Sequence, residues 1–327
     1  MRPFEFASPQ KADQVSPLLG KQWGEVEVLA GGTDLLSLMK DDVTTPKRLV
    51  NIKSISELRG ITAGKDLFRI GALMTLVEIA ENPDMQKEFP ALATAAGDAA
   101  SPQIRNLATI GGNLCQRPRC WYFRNGFGLL GLGKDGQSLV LKGDNRYHAI
   151  LGNDGPAYFV SPSTVAPVLI TYNAEVEILG PLGRRQVPAE KFFVIPKAET
   201  QREHDLRPNE IVTGVILPGK KAVHAAAYEV RQKEAFDWPY ATAAVALTMN
   251  GNTVRSARVV MGHVAPIPWV SPEAARVLIG KTISPEIAEQ AGAAAVAQAK
   301  SLGHNEQKIH LARVAVKRAL LKAGGVA

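Results

Sequence analysis

Two short stretches carry the residue types best suited to holding an anion. Residues 29–36 read Leu-Ala-Gly-Gly-Thr-Asp-Leu-Leu, and residues 109–116 read Thr-Ile-Gly-Gly-Asn-Leu-Cys-Gln. Each sets a Gly-Gly pair behind an apolar run and follows it with a small polar residue. Glycine permits positive φ and close backbone approach. Backbone N–H groups at such a turn, beside the positive end of a helix, suit a phosphate. One such loop is an ordinary turn signal. Two of them suggest the two walls of one site. Thr33, Thr109 and Asn113 would add side-chain donors, and a diphosphate would be neutralised mainly by backbone N–H groups. Neither stretch is GxGxxG or a P-loop, so those nucleotide sites are not expected.

The elements that must position these loops are legible in pattern. Phe4–Phe6 reads as a strand. Ser8 with Pro9 reads as a helix start. The run 26–30 is β-prone and leads through the first glycine pair to a helix beginning near Leu35. Strands are expected at 48–52 and 67–73, with a short helical piece at 54–58. Residues 75–100 are helical in pattern, interrupted at Pro83 and Pro90. From Arg117 to Gly155 the chain is rich in glycine and aromatics without a clear period, as in a long functional insertion. A turn at Ser161-Pro162, a helix and a strand follow. An alternating strand covers 210–218. Beyond it, 225–233 and 240–266 read as antiparallel strands with a hairpin at Asn250-Gly251-Asn252. Three helices close the chain, the first capped by Ser271 and stopped by Gly280.

Bulk properties exclude several classes. The 327 residues are 46% hydrophobic and 21% charged, ordinary for a globular chain of two or three domains. No apolar run approaches ~18 residues, so no membrane span is expected. The start of the chain lacks a signal-peptide pattern. The net charge of +7 is scattered, without the basic blocks of a nucleic-acid binder. The two cysteines, Cys115 and Cys120, make no disulfide framework and suggest a reducing compartment. They are too few for a four-ligand metal site. The histidines do not cluster in the sequence, and no nucleophilic triad or carboxylate pair stands out, so no catalytic or metal-ligating residue is named. Residues 237–240, Asp-Trp-Pro-Tyr, either face a flat ring or pack at a domain interface. This is a ligand-binding scaffold whose chemistry would reside in a cofactor.

With "LAGGTDLLSLMK", "RIGALMTLVEI", "IRNLATIGGNL" and "YEVRQKEAFDWPYATAAVAL" in this order and spacing, the chain resembles one family from end to end. It is similar to the FAD-binding (medium) subunits of xanthine dehydrogenase- and aldehyde oxidoreductase-type molybdenum hydroxylases, the carbon monoxide dehydrogenase flavoprotein family. The resemblance implies an α+β chain. A vanillyl-alcohol-oxidase-type (PCMH) FAD-binding domain of two α/β subdomains would occupy 1–218, with the insertion at about 117–155. A smaller α+β domain with an antiparallel sheet and helices would occupy 219–327. Leu29, Ala30, Gly31, Gly32, Thr33, Asp34 and Leu35 would wrap the FAD diphosphate. Thr109, Gly111, Gly112 and Asn113 would form the second wall, with Cys115 and Gln116 just beyond. Thr164 stands where relatives usually have an Asp that contacts FAD. Val212 would lie near the isoalloxazine ring. Glu229 stands where a Lys is common, which would remove a positive charge from near the flavin. The insertion resembles one that carries a [4Fe–4S] cluster in a subgroup. Only Cys120 matches a ligand, the others falling near Leu130, Ser138 and Ala157, so no cluster is expected here.

The implied function is electron transfer within a heterotrimer. A large subunit would hold the molybdenum cofactor, a small one the [2Fe–2S] centres, and FAD in this chain would pass electrons to an external acceptor. The alternatives are a stand-alone flavin oxidoreductase and an assembly subunit without flavin. The expected location is the cytoplasm, or the periplasm if the chain is exported folded with a partner.

Overall fold

Three sheets organise the chain. The computed structural model describes residues 1–64, 66–219, 223–233 and 237–326. Residues Glu234, Ala235 and Phe236, inside the last quoted motif, lie outside the described residues. The first sheet is parallel, with β1 (Glu5–Ala7), β2 (Val26–Leu29) and β3 (Arg48–Asn51) in the order β1-β3-β2. The helix expected behind Ser8 and Pro9 does not form. Two 3-10 turns, Ala12–Gln14 and Ser16–Leu18, take its place. Pro17 lacks the N–H that a continuing helix needs. The Ala12 N–H is also claimed by a distant carboxylate, donating to Glu57 Oε1 at 2.5 Å.

The second sheet is antiparallel. It contains β4 (Ile61–Ala63), β5 (Leu67–Gly71), β6 (Glu175–Gly180), β7 (Gly183–Pro188) and β8 (Ile211–Pro218), in the order β4-β5-β8-β6-β7. The helical stretch that follows β5 breaks at Pro83 and Pro90 as expected, into Leu76–Glu81, Pro83–Glu88 and Pro90–Asp98. Thr75 and Asn82 cap the first two, accepting from Glu78 N and Met85 N. Their apolar faces join the helix Ala166–Thr171 and strands β5, β6 and β8 in the main core, around Ile70, Leu92, Leu169 and Val215. The strand β8 does not alternate between buried and exposed positions as its sequence suggested. It is the middle strand of the sheet and is covered on both faces, so even Thr213 is buried, its hydroxyl held by Glu177.

The third sheet, also antiparallel, has β9 (His224–Val230), β10 (Ala241–Asn250), β11 (Thr253–Gly262) and β12 (Trp269–Val270) in the order β12-β11-β10-β9. The expected hairpin joins β10 to β11, with Gly251 at φ 57°. The helices Pro272–Leu278, Pro285–Ala295 and Glu306–Ala323 complete this part, and Ser271 and Ser284 cap the first two. The architecture is the α+β arrangement expected. The insertion holds two short helices, Trp121–Arg124 and Leu139–Lys142. Its last part is physically a piece of the third unit. Ile150 and Leu151 are buried in the same core as Val245, Val259 and Leu320. Lys308, 1% exposed, donates from Nζ to the carbonyls of Tyr147 at 2.6 Å and His148 at 3.0 Å.

Candidate functional site

The first glycine loop leaves β2 and enters the helix Leu35–Lys40. Its tight path has a physical cause. Gly32 has φ +77°, and a Cβ on Gly31 would lie 1.9 Å from the Leu107 carbonyl oxygen. The two glycine stretches therefore touch: Gly31 packs on the backbone that leads into the second one. Among the described residues, the N–H groups of Gly31, Gly32, Thr33 and Asp34 donate to no protein acceptor. They form a row of unused donors, the geometry suited to an anion.

The second stretch is built differently from what the sequence suggested. Thr109 caps the helix Ile110–Cys115, and its hydroxyl accepts from Gly112 N at 3.1 Å. Ile110 N donates to Met74 O, Gly111 N to Ala72 O and Asn113 N to Thr109 O. The first-turn donors are thus already used inside the protein. Gly111 is small because Ala72 lies against it, at 2.9 Å from a Cβ placed there. What this wall offers a ligand is side chains and shape. Asn113 is fixed by accepting from Ser163 Oγ at 2.7 Å and donating to Thr164 Oγ1 at 3.3 Å. The Gln116 amide donates to Asn113 O and accepts from Arg119.

These loops enclose one cavity of about 530 Å³, within the usual size of a small-molecule site. It is lined by Ala30, Gly31, Gly32, Thr33, Asp34 and Leu35, by Thr109, Gly111, Gly112, Asn113, Cys115 and Gln116, and by Thr164, Val212 and Glu229. Leu29 is the exception among the expected residues. Its side chain is buried with Met39 and Leu49 in a separate apolar cluster, because alternation along β2 turns it away. Glu229 on β9, with Arg231 and Trp238 in the connection that follows it, supplies a further wall, so parts from both halves of the chain meet at one site.

Charges around the cavity are paired. The Asp34 carboxylate accepts from Arg117 N at 2.8 Å, Arg119 at 2.9 Å and Arg124 at 2.7 Å. It anchors the insertion rather than facing a ligand alone. Arg119 also lies over the Trp238 ring, 4.4 Å from its centroid, and burial pulls its pKa down to about 10. Arg202 pairs with Glu27 at 2.8 Å and covers Trp23. Burial raises Glu27 to about 7 and the Cys115 thiol to about 12, so Cys115 is not a thiolate at neutral pH. Glu229 is raised to about 7 by burial, against the pull of Arg231, to which it is paired. The positive charge expected to be missing beside Glu229 is therefore present two residues later, just past the end of the strand. Arg231 sits inside a quoted motif and Arg119 lies just past the second glycine stretch, so both were readable as candidates by position. Trp23, Arg202 and His204 reach the cavity only through the fold.

The three positions Cys120, Leu130 and Ala157 share one apolar cluster with Phe123 and Phe159. Cys120 Sγ lies 3.1 Å from His148 Nε2. Among the described residues no group of three or more His, Cys, Asp or Glu side chains is placed to hold a metal ion. No helix there is long and apolar enough to cross a membrane.

Residues 2–220 match the model of the FAD binding domain in molybdopterin dehydrogenase, and residues 226–323 match the CO dehydrogenase flavoprotein C-terminal domain. The chain belongs to this flavoprotein family. The carbon monoxide dehydrogenase medium chain of Hydrogenophaga pseudoflava is 30% identical over 97% of this chain and 96% of its own length. The aldehyde oxidoreductase FAD-binding subunit PaoB of Escherichia coli is 30% identical over 74% of this chain and 75% of its own. Among solved structures, carbon monoxide dehydrogenase from H. pseudoflava lacking the Mo-pyranopterin moiety matches with a TM-score of 0.78 and 29% identity, covering 100% of both chains. This flavoprotein subunit is thus an oxidoreductase component of the molybdenum hydroxylase type, with FAD as the family's cofactor. The donor set fits that group: a row of free N–H groups for a diphosphate, in a cavity with apolar walls. Two buried nitrogens, Arg119 Nε and His204 Nδ1, find no partner among the described residues.

Proposed function

We propose that this chain holds FAD in the cavity between the two glycine stretches and relays electrons through it. The reading is supported above all by the four unused N–H groups of Gly31, Gly32, Thr33 and Asp34 on the cavity wall. They would take the diphosphate. Thr109, Gly111 and Gly112 would shape the opposite wall, and Asn113 and Gln116 would orient it through the Ser163–Thr164 network. Thr164 would meet the cofactor as a neutral hydroxyl. Val212 would pack on the ring, and Cys115 would act as a neutral, apolar filler. When bound, FAD supplies the redox chemistry. The protein's part is to bind it, exclude water and fix the charges around it.

In this proposal the donor is a small partner subunit with [2Fe–2S] centres, fed by a large subunit with the molybdenum cofactor, and the acceptor is external. The domains are taken as 1–218 and 219–327, and the chain itself carries no [4Fe–4S] cluster. One visible absorption spectrum of the purified chain tests both statements. A flavin spectrum that releases FAD, without broad iron–sulfur absorbance beneath it, is the expected result. A chain that stays colourless after incubation with FAD would defeat the proposal and favour an assembly role.

A further inference from the structure

The residues lining the cavity fall into two unlike groups. Arg202 and His204 are buried. Trp238, 39% exposed, and Ile104, 38% exposed, reach the solvent. Glu229 and Arg231 belong with the second group. Tyr240 N donates to Val230 O at 2.8 Å, so the returning chain meets the end of β9 between Glu229 and Arg231. Arg231 also donates to Asp98 O at 2.5 Å, at the end of the helix whose chain continues towards Ile104. A ring that trades electrons with other molecules works near the surface, because transfer falls steeply with distance. In the FAD reading above, the flavin ring is taken to lie at this wall of the cavity, beside the pair.

We propose that the Glu229 carboxylate, held against Arg231 on the third-sheet wall of the cavity, sets the redox poise of the flavin. This rests on the FAD reading above. Glu229 is 9% exposed at its side chain, so its charge is weakly screened. A reduced flavin carries more negative charge than an oxidised one, and a carboxylate on the wall opposes that gain. The side chain has the right placement: it lines the cavity, and its partner Arg231 keeps it on that face of β9. Among the described residues, the charged groups that act on it are Arg231, just past the end of β9, and Asp98 at the end of the facing helix, and Glu27, Arg119 and Asp237 also line the cavity. Burial lifts its titration to about 7, so the charge is present at pH 8 and largely gone at pH 5.5.

The test is a spectroelectrochemical titration of the FAD-loaded full chain at pH 8 and pH 5.5, for the wild type and Glu229→Gln. The expected result is a midpoint potential shifted to more positive values by Glu229→Gln at pH 8, with the difference shrinking at pH 5.5. Equal potentials at pH 8 overturn the inference. If Glu229→Gln does not fold, Glu229→Ala takes its place in the same comparison, and equal potentials at pH 8 overturn the inference. A wild-type chain that never takes up FAD fails earlier, and that outcome counts against the functional reading rather than against Glu229.

Discussion

At the residue scale, the same amino acid plays two parts. Gly31 is demanded by a neighbouring backbone, since a Cβ there meets the Leu107 carbonyl at 1.9 Å. Gly112 faces only the Thr109 hydroxyl, at 3.0 Å from a Cβ placed there, and sits in a helix where alanine is the better former. Gly31→Ala is therefore expected to destabilise the chain by ~3 kcal/mol or more, and Gly112→Ala to stay within ~1 kcal/mol of the wild type. Urea denaturation of both variants measures this, and similar losses would show that the contact at Gly31 is easily relieved. The Gly-Gly pairs were visible in the sequence. Which partner each glycine faces was not, because Leu107 and Ala72 are brought to them by the fold. Asp34 was likewise legible as part of the motif but not as the acceptor for three arginines. Its change to Ala would leave Arg119 and Arg124 short of their carboxylate, and a loss of ~3 kcal/mol is expected in the same assay.

At the scale of elements, local signals served well where chain neighbours decide the outcome. Prolines at 83 and 90 broke the helical stretch, and serines at 271 and 284 started helices, since caps and ring constraints act within a turn. They failed where a distant group competes, as at Ala12, whose N–H goes to Glu57. The insertion shows the other side of this limit. Its segment 145–154 forms no helix or strand, as a loop reading implies, but what fixes it is distant: the last helix and the turn before it. Asn145 Nδ2 donates to Leu302 O, Asn305 Nδ2 to His148 O and Ala149 O, and Lys308 Nζ to two carbonyls. Replacing Lys308 with Ala would strand those carbonyls in a dry core. A loss of about 2–4 kcal/mol and faster hydrogen exchange at 145–154 are expected. Unchanged exchange there would mean that the clasp is held by apolar packing alone.

At the scale of the whole molecule, the two halves are interlocked. A fragment ending at residue 218 would leave Ile150 and Leu151 without their core partners. It is expected to aggregate or to lose FAD, and size-exclusion chromatography with flavin absorbance decides this. The buried histidines should weaken the fold in acid. Burial holds His148 and His204 down to about 4 and His263 to about 3, below the ordinary 6.5. The unfolded chain takes up these protons below pH 6.5, whereas the folded chain does not until about pH 4. Stability from these groups is therefore present above pH 6.5 and lost as pH falls from 6.5 towards 4, roughly 1 kcal/mol per histidine by pH 5.5. Glu27 and Glu229, raised to about 7, act in the opposite sense over the same window, because the folded chain takes up their protons first. The histidine part is therefore read as the difference between wild type and His263→Asn in the change of denaturation midpoint from pH 7.5 to 5.5. Saturating FAD should act in the other direction, adding about 2.7 kcal/mol at a hundredfold excess over its Kd. The sequence by itself determined the glycine loops, the caps, the hairpin and the family, because each of these is written in residues close along the chain. Only the tertiary structure decided that the two loops touch, that one keeps its N–H groups free while the other spends them, and that Glu229 comes with Arg231 on a wall supplied by the other half. Those facts depend on which distant backbone and charge each group meets, and folding alone brings them together.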